Sequence, residues 1–201
     1  MNIKNEREPN MNTKHSGMIE TVKVGIVAAI KGTGDIVQAT VDTITKMLAT
    51  TVKDTGRVGT SLTDAIADVA SGAVRGAAQV GADLTQAAKG IMVGVLRGTK
   101  EAGTEVMDTI SHTAQVAIRD TAEVGGDIGA AATGLVQGAI ESAKEIGVSA
   151  EDAASAAANG ALKAAGKVGA EAVDTVRKAV TKSIHGVKVV LKEPELAVST
   201  N

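Results

Sequence analysis

Phenylalanine, tyrosine, tryptophan and cysteine are all absent from this chain, and histidine occurs only at positions 15, 112 and 185. Without cysteine there are no disulfides and no thiolate chemistry, which permits a reducing compartment. Without aromatic residues, a core must be built from Ala, Val, Leu, Ile and Met, side chains that mostly bury little area each. Proline stands only at 9 and 194, so none interrupts a helix between them. Neither sign of charge dominates: Lys plus Arg is 21 and Asp plus Glu 23, a net charge of -2. A nucleic-acid partner, which would call for a basic stripe, is not expected.

Long hydrophobic runs are missing too. The charge-free stretch from Ile128 to Ile140 falls short of the ~20 residues needed to span a membrane. Lys23 and Lys31 interrupt Val22 to Ile30, which leaves no apolar region of the length a secretory signal needs. A cytoplasmic location is expected, peripheral at most to a membrane or granule, with no transmembrane segment. The histidines have no metal-ligand spacing, and no glycine-rich run precedes Lys-Ser or Lys-Thr in phosphate-loop order. No catalytic, cofactor-binding or metal residues are assigned, and an enzyme is not expected.

What the chain does have is an 11-residue rhythm from Val22 to Leu191. Steps of eleven through Gly59 read Ile26, Val37, Leu48, Gly59, Ala70, Gly81, Met92, Gly103, Ala114, Gly125, Val136, Gly147, Ala158, Gly169, Val180 and Leu191, none of them charged. Eleven residues make three helical turns, so equivalent positions stack on one side of an α-helix. Offsets 2, 5, 8 and 9 from those steps form one arc, and it holds 32 of the 35 charged residues between 22 and 191. Asp54, Asp120 and Glu151 are the exceptions. Such segregation is the mark of an amphipathic helix. Val37, Leu48, Leu84, Met92, Val106, Ile128, Val136 and Val180 are expected on its apolar face.

A longer period is superposed. Val80 to Gly103 recurs at Val124 to Gly147, with identity at Val80, Gly81, Asp83, Ala87, Ala88, Gly90, Gly94, Lys100, Glu101 and Gly103. The shift is 44 residues. Gly59, Gly103 and Gly147 are candidate helix ends. The signal is clearest at Gly147, followed by Ser149 as an N-cap with Asp152 three residues on. Gly81, Gly125 and Gly169 lie halfway between such ends, so glycine recurs every 22 residues; they would mark ends only if the helices were short. Gly90, Gly94 and Gly98, and Gly134 and Gly138, are spaced for helix packing.

The fold expected is all-α: long amphipathic hendecad helices, about 44 residues each, in an elongated antiparallel four-helix arrangement. Its units would be 16–59, 60–103, 104–147 and 148–191, within a helical domain at 18–191. Residues 1–17 read as a disordered leader and 192–201 as a flexible tail. A nearly continuous rod bending at each glycine satisfies the same pattern.

The stretches Thr43-Ile44-Thr45-Lys46, Thr51-Val52-Lys53-Asp54-Thr55-Gly56 and Val74-Arg75-Gly76-Ala77-Ala78-Gln79-Val80-Gly81 resemble the Thr-, Gly- and Val-rich 11-mers of synucleins and perilipins, and distantly those of late-embryogenesis-abundant proteins. The resemblance implies a chain loosely folded in water that forms a long helix on a lipid surface. Where the synuclein type has lysines flanking the apolar face, this chain alternates Lys31, Asp42, Lys53 and Asp64, which points away from anionic membranes.

Three non-enzymatic functions are therefore expected candidates. The first is a coat on a lipid or granule surface. The second is a scaffold or helical bundle whose partners are copies of itself, and the third a stress-protectant chain.

Overall fold

The computed structural model describes residues 11–55, 60–100, 102, 104–181, 184 and 186–191. Among them are eight helices: α1 (Met11–Thr33), α2 (Ile36–Thr55), α3 (Thr60–Gln79), α4 (Leu84–Thr99), α5 (Val106–Glu123), α6 (Ile128–Ile146), α7 (Ala150–Val168) and α8 (Ala170–Thr181). The expectation of four helices of about 44 residues is overturned. Each 44-residue interval holds two helices.

The breaks between the described helices are local chemistry. Gly81, Gly125 and Gly147 adopt φ of 65°, 69° and 79°, the left-handed conformation that a Cβ opposes. The next residue then reaches back over the turn: Ala82 N–H donates to Ala77 O, Gly126 N–H to Thr121 O and Val148 N–H to Ala143 O, at 2.8–3.0 Å. This is the Schellman closure. One residue later an acceptor side chain opens the next helix. Asp83 accepts from Gln86 N–H, Asp127 from Gly129 and Ala130 N–H, and Ser149 from Asp152 N–H. Asp35 does the same for α2, behind Gly34 at φ 71°.

Leu84, Val106, Ile128 and Ala150 open four successive helices at intervals of 22 residues. Twenty-two is two elevens, so these four helices start at the same point of the rhythm. Charges therefore keep their offsets although the chain reverses at every turn, and the pattern reads as unbroken when it is not. A hendecad rod or coiled coil is corrected accordingly.

Short turns make successive helices antiparallel. Odd-numbered helices form one layer and even-numbered helices the other, with especially close packing between α1 and α3, α2 and α4, α4 and α6, and α5 and α7. Neighbours within a layer run parallel, because contacts advance together along both chains. Gly90, Gly94 and Gly98 of α4 face Thr40, Ile44 and Leu48 of α2 in order, and Gly72 and Gly76 of α3 face Val22 and Ile26 of α1. This two-layer stack of helix pairs is an α-solenoid.

The apolar arc lies inside it. Leu48, Met92, Val136 and Val180 are buried, while Val37, Leu84, Val106 and Ile128 are half-buried. The described large hydrophobic residues that remain exposed, Val24, Val124, Val168 and Val190, are scattered singly. Association with lipid through this arc is corrected on the same ground: its surface is already used between helices. Helix α1 begins at Met11, inside the segment read as a leader.

Candidate functional site

Counting from the sequence positions 59, 81, 103, 125 and 147, the residues 9, 13 and 17 places on fall on the flank of a helix that faces the preceding helix of its own layer. In α4 these are Gly90, Gly94 and Gly98; in α6, Gly134, Gly138 and Ser142; in α7, Ala156, Gly160 and Ala164; in α3, Asp68, Gly72 and Gly76. The approach is close enough that a Cβ on Gly138 would stand 2.7 Å from Lys89 O. Helix α5 departs from the pattern, with His112, Val116 and Asp120 in those places.

These larger side chains hold α5 away from α3, and the two pack less closely than α1 with α3 or α5 with α7. Between them lies a cleft of about 560 Å³, lined by Thr63 and Ile66 of α3, by Thr104, Glu105, Asp108, Thr109, Ser111, His112 and Gln115 at and after the start of α5, and by Lys163 of α7. A cavity of about 220 Å³ shares Thr104 and Thr109 and reaches Leu96 and Ile146. Helix α5 starts without a side-chain cap at Glu105.

His112, nine residues beyond Gly103 and so at an offset of the charge-bearing arc, is half-buried. Burial lowers its pKa, against the pull of the Thr63 backbone carbonyl and Asp64 and with the push of Arg119. The neutral ring leaves a buried Nε2 without a partner. Asp120, 1% exposed, accepts from Arg119 Nε at 2.8 Å through Oδ1, and its Oδ2 is unpaired. Arg119 also reaches Glu123 at 3.7 Å, and Glu123 pairs with Arg75 of α3 at 3.3 Å. Arg97 and Glu145 repeat that last pairing between α4 and α6 at 3.2 Å. Alternating signs along the chain thus become pairs across parallel neighbours.

Of the residues singled out from sequence, Gly81, Gly125, Gly147 and Gly169 lie in exposed turns, Ser149 caps α7 and Asp152 stands in its first turn. Gly59, Gly103 and His185 fall outside the described residues. The structure does not gather these turn residues into one site. What it brings together, His112 with the α3–α5 cleft, had one signal in the sequence: Asp120, eight residues on, is a charge on the apolar arc. His15 joins α1 to α3, its Nδ1 2.7 Å from Asp68 Oδ2.

The two described histidines respond oppositely to pH. The hydrogen bond to Asp68, then its charge, raises the His15 pKa above 6.5; burial raises that of Asp68 despite His15. Stability from His15 is complete below pH 6.5 and is lost as pH rises through its folded pKa. His112 is the reverse: its burial penalizes folding below its lowered pKa, and the penalty is gone above 6.5. In melts between about pH 5 and 8, His15→Gln should make the melting temperature climb with pH, and His112→Gln should make it fall. Identical slopes in both variants would refute the assignment.

Among the described residues, no group of three or more His, Cys, Asp or Glu could hold a metal ion. No described helix is long and apolar enough to cross a membrane. The fold is that of an all-helical repeat protein. Among solved structures, the chain is similar to the de novo designed helical repeat protein DHR7, with a TM-score of 0.52 and 19% identity over 88% of this chain and 95% of that one. At that identity the likeness concerns the fold alone. No protein-family model matches the chain, and no curated protein is similar to it.

Proposed function

We propose that this protein is a helical-repeat scaffold that holds its shape in water and presents the α3–α5 cleft to a polar ligand or partner group. The observation that carries the reading is the replacement of the glycine seam by His112, Val116 and Asp120 at that one place in an otherwise close-packed layer. A repeat array gains stability from each neighbour contact, so a local departure that opens a cleft needs support from the seams on either side. The cleft offers hydroxyls, an amide, the neutral His112 ring and charges of both signs. Such groups suit a polar partner better than an apolar one.

The scaffold reading expects full helicity and one cooperative thermal transition in plain buffer, both unchanged by lipid vesicles. Circular dichroism with and without vesicles, together with light scattering for size, provides the check. A chain unfolded in buffer that gains helix on vesicles would overturn the reading in favour of a surface coat. One that gains helix only on drying would favour a protectant.

A further inference from the structure

Asp83, Glu105, Asp127 and Ser149 are the N-caps of four successive helices, 22 residues apart in sequence. Three of these side chains accept hydrogen bonds from the first turn of their own helix, and Glu105 accepts none. Glu105 instead lines the α3–α5 cleft, with Asp108 one turn on and His112 one turn beyond that. Spacings of three and four put all of them on one face of α5. His112 is itself the other departure from the repeat, in a place that Gly90, Gly134 and Ala156 hold elsewhere. Two independent departures thus meet in one cleft.

Their chemistry points the same way. Among the described residues, neither Glu105 nor Asp108 has an ion-pair partner. An ionised carboxylate only accepts hydrogen bonds, and Nε2 of a neutral imidazole can accept one as well. In His112 that nitrogen is buried with nothing bound to it. Asp64 of α3 adds negative charge beside the ring, while the nearby Arg119 is engaged by Asp120 and Glu123. Against these acids, Lys163 of α7 is the one cation among the described residues that line the cleft. The balance favours a positive guest rich in N–H donors, whose hydrogen bonds would be charge-assisted. A quaternary ammonium is disfavoured, because the sequence has no aromatic ring to face it. The adjoining cavity of about 220 Å³, which shares Thr104 and Thr109, adds Leu96, Val106 and Ile146 beside Lys100. Those three side chains are apolar surface for a short hydrocarbon chain.

We propose that the α3–α5 cleft binds a small primary amine with a short alkyl chain, taken as its ammonium ion. The ammonium donates to Glu105, Asp108 and His112 Nε2, and the chain enters the adjoining cavity. The cleft volume of about 560 Å³ lies within the ~300–1,000 Å³ usual for small-molecule sites. This inference names the ligand class for the cleft reading given above and rests on that reading. Lys163 opposes such a guest, so its removal should strengthen binding.

The probe is n-butylammonium, titrated calorimetrically into the full-length chain in low salt at about pH 8, where the amine is charged and His112 neutral. Butyltrimethylammonium carries the same charge and chain without N–H donors, and it should bind at least about tenfold more weakly. Glu105→Gln/Asp108→Asn should weaken butylammonium binding by at least as much, and Lys163→Gln should tighten it. Equal binding of the two cations by the unaltered chain, or binding that survives Glu105→Gln/Asp108→Asn unchanged, overturns the proposal. Methylammonium that binds as tightly as butylammonium overturns the place given to the alkyl chain. Thermal melts run alongside: loss of cooperative melting in the unaltered chain would sink the scaffold reading, whereas cooperative melting without butylammonium binding sinks this proposal alone.

Discussion

Replacing Gly134 by leucine should cost this protein about 3 kcal/mol and break the even layer at its middle. Any Cβ at Gly134 would collide with the backbone carbonyl of Thr85 on α4 and lie within 3.0 Å of Lys89 N. A backbone obstacle cannot swing aside as a side chain does, so α4 and α6 must separate along their whole contact. Gly138 next to it, facing Lys89 O and Met92 Cβ, would lose its partner surface in the same movement. Neighbour contacts carry the stability of a repeat array, and thermal unfolding of the variant should split into two transitions. Gly166→Ala is the control, because Gly166 is an exposed helical glycine with nothing within 4 Å of an added Cβ. It should stabilise by roughly 0.5–1 kcal/mol. A Gly134→Leu protein that melts as the unaltered chain does would disprove the close parallel seam.

Truncation of Leu135 to alanine should be comparably severe, at about 3 kcal/mol. The side chain is fully buried in α6, which touches α4, α5, α7 and α8. Much of the surrounding core is alanine, including Ala131, Ala132, Ala139 and Ala143 of the same helix. Such a core has few long side chains able to swing into a vacated volume, so most of the cavity should persist. For a chain of this size the loss corresponds to a fall of roughly 6 to 12 °C in melting temperature. Val124→Ala, at an exposed helix end, should change stability by no more than about 0.5 kcal/mol. Calorimetry on both variants checks the contrast, and equal shifts would mean that Leu135 does not sit in a packed core.

Part of this architecture was legible from residues alone. Helical character and the buried arc followed from charges confined to four offsets in eleven. The cap at Ser149 and the packing role of Gly90, Gly94, Gly98, Gly134 and Gly138 could be read from local spacing. Helix length could not, because a turn of Gly, any residue and an Asp or Ser acceptor fits inside a two-hendecad unit without shifting its phase. The glycines at 81 and 125 were therefore indistinguishable from packing glycines of a longer helix. The α3–α5 cleft was hidden for a related reason. His112 lies on the arc that carries charge, and only the position of α3 beside α5 turns that flank inward. Asp120 alone, a charge off its arc, marked the place.

The sequence by itself determined that the chain is helical, which side of each helix avoids water, and where the backbone can adopt left-handed turns, since periodicity and glycine conformations are local properties. Tertiary structure decided that helices two apart pack in parallel layers and that residues 187–191 run beside α7. Those outcomes depend on what each helix flank meets. Gly138 needs Lys89 and Met92 from another helix before its missing side chain has a meaning, and Ser155 needs residues far along the chain beside it before its hydroxyl can take the backbone of Val190.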